Sequence, residues 1–284
     1  MESVGVVGCG LMGSGIAEVC ARADVPVLVV EVDEAGLAAG KRRIEVSLER
    51  AVRSGKLPDV LAGRALERIR FTTDLSHLGS TELVIEAASE DEDVKVHLFE
   101  LLDKVVERED AILASNTSSI PIMKLAMATG RPESVIGMHF FNPVPVLPLV
   151  EVISSLLTGD AAAARATTFA ADVLGKHVVQ SKDRAGFIVN ALLIPYLLSA
   201  IRMLESGFAT AEDIDVGIVE GCAHPMGPLA LTDLIGLDTT KAVAESLYEE
   251  FKEPLYAPPP LLNRMVDAGL LGRKSRRGFY EYAR

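Results

Sequence analysis

The segment Val4-Gly5-Val6-Val7-Gly8-Cys9-Gly10-Leu11-Met12-Gly13 constrains this chain more than any other. A β-branched strand runs into G-x-G-x-x-G, and a helical pattern follows at once over residues 14–21. Gly8 permits a tight turn, Gly10 removes the side chain where a pyrophosphate would approach the backbone, and Gly13 lets helix and strand pack closely. The helix N-terminus, with its unpaired N–H groups, then faces the anion. The turn formed by Gly8, Gly10, Leu11, Met12 and Gly13 is therefore expected to hold a dinucleotide. Glu31 closes the next strand, where a carboxylate accepts hydrogen bonds from both ribose hydroxyls and repels a 2′-phosphate. No Arg or Lys occurs between Glu31 and Lys41, so NAD is expected rather than NADP. The bland alternative, a glycine turn beside a solvated Glu31, ignores the strand before the motif and the helix after it.

Short β-rich runs at residues 4–7, 27–30, 83–85, 111–114, 135–138 and 149–153 alternate with helical patterns as far as about Arg184. That rhythm predicts an α/β fold of Rossmann type, a doubly wound and mostly parallel sheet with helices on both faces. A helical insertion is expected at about 36–70. From Gly186 the β signal disappears, which predicts a second, all-helical domain over 185–284. There, Thr210 and Asp213 suggest a capping box. The triple proline at 258–260 reads as a stiff connector between helices. The apolar stretch 187–201 is interrupted by Asn190 and Pro195 and is too short for a bilayer span, so it reads as a buried helix.

Composition excludes several classes. A net charge of −12 argues against a nucleic-acid partner, which needs a basic face. The three cysteines, Cys9, Cys20 and Cys222, show neither disulfide nor metal-ligand spacing, so no metal is expected. A strand pattern starting at Val4 leaves no room for a leader, and a cytoplasmic location is expected, without a membrane partner.

A second constellation lies in Ser115-Asn116-Thr117-Ser118-Ser119 and in His139-Phe140-Phe141-Asn142-Pro143, each following a strand. In a doubly wound sheet both fall at the carboxyl edge, where ligands bind. Glu151 stands in the apolar run 150–153, and a carboxylate buried there needs a partner. His139 is the natural one. Alternatives are a core histidine capped by backbone, a Glu151–arginine pair, and a Ser118 that only caps a turn.

At this point the chain resembles the monofunctional 3-hydroxyacyl-CoA dehydrogenases, particularly the bacterial 3-hydroxybutyryl-CoA dehydrogenase group. The likeness rests on G-C-G-L-M-G-S-G-I-A at 8–17, I-E-A-A at 85–88, S-N-T-S-S at 115–119 and H-F-F-N-P-V at 139–144. It continues through G-F-I-V-N at 186–190, P-M-G-P at 225–228 and G-F-Y at 278–280. The resemblance implies that His139 is the catalytic base, that Glu151 orients it, and that Ser118 binds the substrate oxygen. It implies a contribution from Asn190, places Asn116 and Asn142 near nicotinamide and substrate, and puts Glu90 and Lys95 near the cofactor. It also implies an acyl-CoA substrate.

The chemistry is consistent with those roles. Removing hydride from a secondary alcohol requires its hydroxyl proton to be taken, and imidazole titrates near neutrality. A buried carboxylate fixes the tautomer and stabilises the imidazolium that forms, while Ser118 and Asn190 would bond to the reacting oxygen. Arg50, Arg53 and Lys56 stand at spacings that share one side of a helical stretch and could take the phosphates of CoA. Lys41, Arg42, Arg43 and Glu45 show that this helix is charged throughout, so a solvated face is the rival reading. Two segments depart from the family's usual wording, Cys222-Ala223-His224 and Lys274-Ser275-Arg276-Arg277-Gly278, and these bear on acyl-chain preference. The apolar run 187–201 also motivates a homodimer through the C-terminal domain. The competing functions are a sugar-acid 3-dehydrogenase of the same superfamily and a non-catalytic NAD-binding structural protein.

Overall fold

The computed structural model describes residues 1 and 3–283, which form two compact units, 1–184 and 185–284. Among the described residues the first unit holds eight strands: β1 (Val4–Val7), β2 (Val27–Val30), β3 (Ile69–Thr72), β4 (Leu83–Glu86), β5 (Ile112–Ser115), β6 (Val135–Phe140), β7 (Leu149–Ser154) and β8 (His177–Lys182). They form one sheet in the order β3-β2-β1-β4-β5-β6-β7-β8, parallel at every pairing except the antiparallel β6–β7. The chain direction across the sheet reverses at β1/β4, which makes that crevice the topological switch point.

The helices of this unit are α1 (Leu11–Arg22), α2 (Glu34–Arg53), α3 (Asp59–Glu67), α4 (Glu92–Val105), α5 (Ile122–Met127) and α6 (Asp160–Thr168). Asp33 starts α2 by accepting the Gly36 N–H at 2.7 Å, and Leu37, Ile44 and Leu48 supply its buried stripe. Val6, Val29, Ile85 and Phe99 are fully buried, and truncating a ring such as Phe99 to Ala typically costs about 3–5 kcal/mol.

Two strands are absent from the sequence reading. β3 carries Ile69-Arg70-Phe71-Thr72 inside and just beyond the expected insertion, and the helical part of that insertion is the α2–α3 pair. β8 reads His-Val-Val-Gln-Ser-Lys with only partial burial. Both are sheet edges, where a charged side chain such as Arg70 or Lys182 limits unwanted pairing and interrupts an apolar run.

The second unit contains α7 (Val189–Glu205), α8 (Ala211–Cys222), α9 (Pro228–Ile235), α10 (Leu237–Phe251) and α11 (Pro260–Asp267), followed by a tail with one short 3-10 turn (Arg273–Ser275) and isolated bridges at Gly272↔Arg277 and Arg277↔Glu281. The expected buried helix at 187–201 needs correction: α7 buries Ile194, Leu197, Leu198 and Ile201 but leaves Leu192 74% exposed. One apolar stripe is enough to seat it, whatever its overall hydropathy. Thr210 caps α8, accepting the Asp213 N–H at 3.1 Å and donating to the Asp213 carboxylate at 2.6 Å.

Two buried carboxylates organise the rest of this unit. Asp215 accepts the Leu229 and Ala230 N–H groups at the start of α9 and the Tyr280 hydroxyl; Asp233 accepts the Phe279 and Tyr280 N–H groups and the Tyr282 hydroxyl. Burial first, and Asp233 second, push the Tyr282 phenol up to about 12. No helix among the described residues is long and apolar enough to cross a membrane.

Candidate active site

The glycine turn sits at the β1/β4 switch point. Gly8 has φ +90°, and a Cβ there would come within 2.6 Å of the Ala87 carbonyl oxygen. A Cβ on Gly13 would lie 1.9 Å from the Gly8 carbonyl oxygen, so only glycine permits this approach of helix and strand. At Gly10 a Cβ would meet nothing within 4 Å, and no side chain caps the helix it begins. Glycine at Gly10 therefore answers no need of the protein's own packing; it leaves an open cradle at a helix N-terminus, which fits a pyrophosphate.

Glu31, just past β2, faces this turn: its Oε1 accepts the Cys9 N–H at 2.6 Å and its Oε2 accepts the Val32 N–H at 3.0 Å. Arg43 reaches the same peptide, with Nη1 3.1 Å from the Cys9 carbonyl oxygen. A search for cations ending at Lys41 overlooks it, because two further residues of α2 bring Arg43 back over the turn. Burial and the Glu31 charge push the Cys9 thiol up to about 12, against Arg43, so this cysteine is an inert packing group.

Along the same carboxyl edge, β4 ends in Glu86, which is fully buried. Its carboxylate accepts the Ala88 N–H at 2.7 Å, the Ser115 hydroxyl at 2.6 Å and the Lys95 ammonium at 2.5 Å. Lys95 is 1% exposed and also lies 3.5 Å from Glu90. The structure thus places the Lys95 ammonium between two carboxylates. Glu90 in turn holds the serine loop: its Oε1 accepts the Thr117 hydroxyl (2.6 Å), the Ser118 N–H (2.7 Å) and hydroxyl (3.1 Å), and the Ser119 N–H (3.1 Å) and hydroxyl (3.0 Å). Burial alone would raise the Glu90 carboxyl, but Lys95 and these hydrogen bonds outweigh it and hold Glu90 below the ordinary range. Beyond the loop, Asp183 caps α5 by accepting the Ile122 and Met123 N–H groups at 2.9 and 2.7 Å. Asn116 ties β5 to β6, its side-chain oxygen accepting the Phe140 N–H at 2.9 Å.

The β6–β7 register sets His139 opposite Glu151. His139 Nδ1 lies 2.6 Å from Glu151 Oε2, with Glu151 completely buried and the Phe141 ring 4.5 Å from the imidazole, centroid to centroid. An Nδ1–H held by a carboxylate makes Nε2 the basic nitrogen of the ring. In the sheet Val7 pairs with Glu86, Glu86 with Ser115, and Ser115 with Gly137. Gly8 and Ser118 therefore follow the carboxyl ends of β1 and β5, and His139 stands in the last pleat of β6, in a continuous set of parallel strands.

The remaining expected site residues stand on other segments. Asn142 is exposed on the connection between β6 and β7. Asn190 stands in the first turn of α7, in the second unit. Arg50, Arg53 and Lys56 are exposed at the end of α2 and in the turn after it. Of these only Arg53 lines the groove of about 610 Å³ between α2 and α3, which Glu45, Glu49 and Asp59 share. Glu86 and Asp183 escaped the sequence reading. Glu86 carried the same signal as Glu151, a carboxylate in an apolar strand, whereas Asp183 acts on a helix far away in the chain and left no local mark.

A glycine cradle, a ribose-side carboxylate and an imidazole–carboxylate pair on one sheet edge make the first unit a nicotinamide-dinucleotide domain in architecture. The comparisons agree: residues 3–184 match the 3-hydroxyacyl-CoA dehydrogenase NAD binding domain, and residues 186–282 match the C-terminal domain of the same enzymes. A 3-hydroxybutyryl-CoA dehydrogenase of Mycobacterium tuberculosis is 62% identical over 282 residues, covering 99% of each chain. The crystal structure of FadB2 from M. tuberculosis superposes with a TM-score of 0.99 at 62% identity, covering 100% of this chain and 99% of that one. That of (S)-3-hydroxybutyryl-CoA dehydrogenase PaaH1 from Ralstonia eutropha gives 0.94 at 45% identity, covering 100% of both. The chain belongs to the 3-hydroxyacyl-CoA dehydrogenase family.

Proposed function

We propose that this protein interconverts short-chain 3-hydroxyacyl-CoA and 3-ketoacyl-CoA thioesters, with 3-hydroxybutyryl-CoA and acetoacetyl-CoA as the pair, and that His139 and Glu151 move the proton. The observation that carries this reading is the 2.6 Å contact between a buried imidazole and a fully buried carboxylate at the edge where the glycine turn opens. The peptide groups of Gly8, Gly10, Leu11, Met12 and Gly13 would hold the NAD pyrophosphate, and Glu31 the adenosine ribose. NAD, when bound, supplies the hydride acceptor or donor.

In the oxidative direction, Nε2 of His139 takes the proton from the oxygen of the C3 hydroxyl, while the hydrogen on C3 would leave as hydride to NAD. Glu151 holds the positive charge that then forms on the ring, and its fixed position keeps the tautomer. Ser118 donates its hydroxyl to Glu90 in the present arrangement, so it must exchange that bond for one to the reacting oxygen. Asn190 is assigned to the same oxygen, Asn116 to the nicotinamide and Asn142 to the substrate. In reduction the same ring returns the proton to the ketone oxygen.

Glu90 and Lys95 serve the cofactor side through the serine loop. Arg50, Arg53 and Lys56 receive the phosphates of CoA. The protein works in the cytoplasm as a homodimer through residues 185–284, where α7 presents the exposed Leu192. A single chain mass in light scattering at micromolar concentration removes the dimer. The decisive experiment is NADH consumption by purified protein with acetoacetyl-CoA. Turnover that prefers NADH over NADPH is expected. No turnover with any 3-ketoacyl-CoA, together with oxidation of a free 3-hydroxy sugar acid, would replace the thioester with a carboxylate substrate.

A further inference from the structure

Lys176 lies just before β8 and is only 9% exposed. Its ammonium donates to the carbonyl oxygens of Val144 at 2.6 Å and Leu147 at 2.8 Å. A buried ammonium is costly unless its donors are used, and here they go to peptide carbonyls rather than to a carboxylate. Burial pushes the lysine below its ordinary range, with the Arg22 charge acting the same way and Cys20 opposing it.

Both carbonyls belong to residues 141–148, the connection from β6 to β7. A two-residue turn would lock the register of such a hairpin by its own geometry; a connection this long does not. Two other features hold it. Val146 N–H and Leu147 N–H both donate to the Pro143 carbonyl oxygen at 2.9 Å, closing a turn. Val144, 2% exposed, presses on α1 at Gly15, where a Cβ would come within 2.9 Å of the valine Cβ. The ammonium of Lys176 supplies the remaining pin, from the neighbouring strand at the same end of β7: Leu149 pairs with His177, whose N–H donates to the Pro148 carbonyl oxygen at 2.8 Å. Register matters here because a slip of one residue turns every side chain of a strand to the opposite face. That slip would part His139 from Glu151.

We propose that Lys176 is a positioning residue for the His139–Glu151 pair: by holding the carbonyls of Val144 and Leu147 it fixes the β6–β7 connection, and with it the cross-strand register and the place of Asn142. This rests on His139 being the base. Methionine at this position would fill the same space while leaving both carbonyls without a donor. Glutamine would offer an amide on an arm one atom shorter, which reaches them poorly.

The test uses the full chain with Lys176→Met and Lys176→Gln. In proton NMR, the far-downfield signal of the His139 Nδ1–H is assigned by its upfield shift in Glu151→Gln, where a neutral amide oxygen replaces the carboxylate, and it reports the pair without any turnover. In Lys176→Met that signal is expected to broaden or vanish, kcat with acetoacetyl-CoA to fall at least about tenfold, and NADH affinity to change by less than about threefold. Lys176→Gln should fall between the two and serves if the methionine variant does not fold. A folded variant of either kind with wild-type signal and wild-type kcat overturns the proposal. So does an intact signal with kcat and NADH affinity falling together, which would mean general weakening. If wild-type protein turns over no 3-ketoacyl-CoA, the functional reading fails, while the NMR arm still decides whether Lys176 sets the pair.

Discussion

Replacing Glu151 with glutamine isolates what the carboxylate's charge does, because shape and an acceptor oxygen remain. In the proposed mechanism the imidazole gains positive charge as it takes the proton, so attraction to Glu151 grows along the reaction. The contact atoms are 2.6 Å apart, and both charges are spread over several atoms. At an effective separation near 4 Å and an effective dielectric near 20, the attraction is about 4 kcal/mol. The neutral amide oxygen still accepts the Nδ1–H, which recovers about 1 kcal/mol. The net loss of about 3 kcal/mol corresponds to a fall in kcat of about a hundredfold. The assay is oxidation of 3-hydroxybutyryl-CoA followed by NADH formation, with NADH affinity measured separately by fluorescence. A fall in kcat of less than about threefold in folded protein would refute the reasoning, and a raised KM at unchanged kcat would show that the carboxylate acts on substrate binding alone.

Further outcomes follow from other contacts. Gly10→Ala should leave the melting temperature within a degree or so yet weaken NADH binding by at least about tenfold, because the added methyl meets only open space, whereas Gly13→Ala should destabilise by more than about 2 kcal/mol through its clash with the Gly8 carbonyl. Equal effects in calorimetry and NADH titration would sink the cradle assignment. Glu31→Ala should weaken NAD and narrow its advantage over NADP, a change helped by Arg43 at the neighbouring peptide; an unaltered ratio of the two kcat/KM values counts against the ribose role. Glu18 is 1% exposed with one carboxylate oxygen lacking a partner, and burial raises its carboxyl against the pull of Ser47 and Arg22. The folded state then binds a proton that the unfolded chain has released, so wild-type stability falls as pH rises from the ordinary glutamate range through the raised folded value. Glu18→Gln should therefore gain on wild type in urea melts at pH 7 relative to pH 4, and a difference that does not vary with pH would remove this account.

Sequence and structure meet most closely where local chemistry and long-range placement ask for the same residue. The glycine turn is legible because each requirement of the motif is met within one strand and one helix. Glu151 and His139 are legible as partners because a carboxylate inside an apolar strand cannot remain alone, and the fold brings the two side chains into contact. The edge strands β3 and β8 were not legible, since partial burial gives them no apolar alternation. Lys95 marks a different limit: nothing in its local pattern distinguishes an ammonium at a cofactor from one buried between Glu86 and Glu90. Asp183, Lys176 and Arg43 all act on backbone that lies far from them in sequence, each through one side chain making one or two contacts that leave no periodic trace. The exposed Leu192 shows that hydropathy reports how apolar a helix is, without saying which of its faces finds a partner.

The one antiparallel pairing in this sheet has a consequence for how such a centre could be inherited. Parallel neighbours are joined by a crossover, so two groups facing each other across them usually come from distant stretches of polypeptide. Because β7 turns back on β6, His139 and Glu151 are only twelve positions apart and travel as a single hairpin. A recombination event that exchanged this one piece would carry the imidazole–carboxylate pair intact, leaving the rest of the chain to diverge on its own.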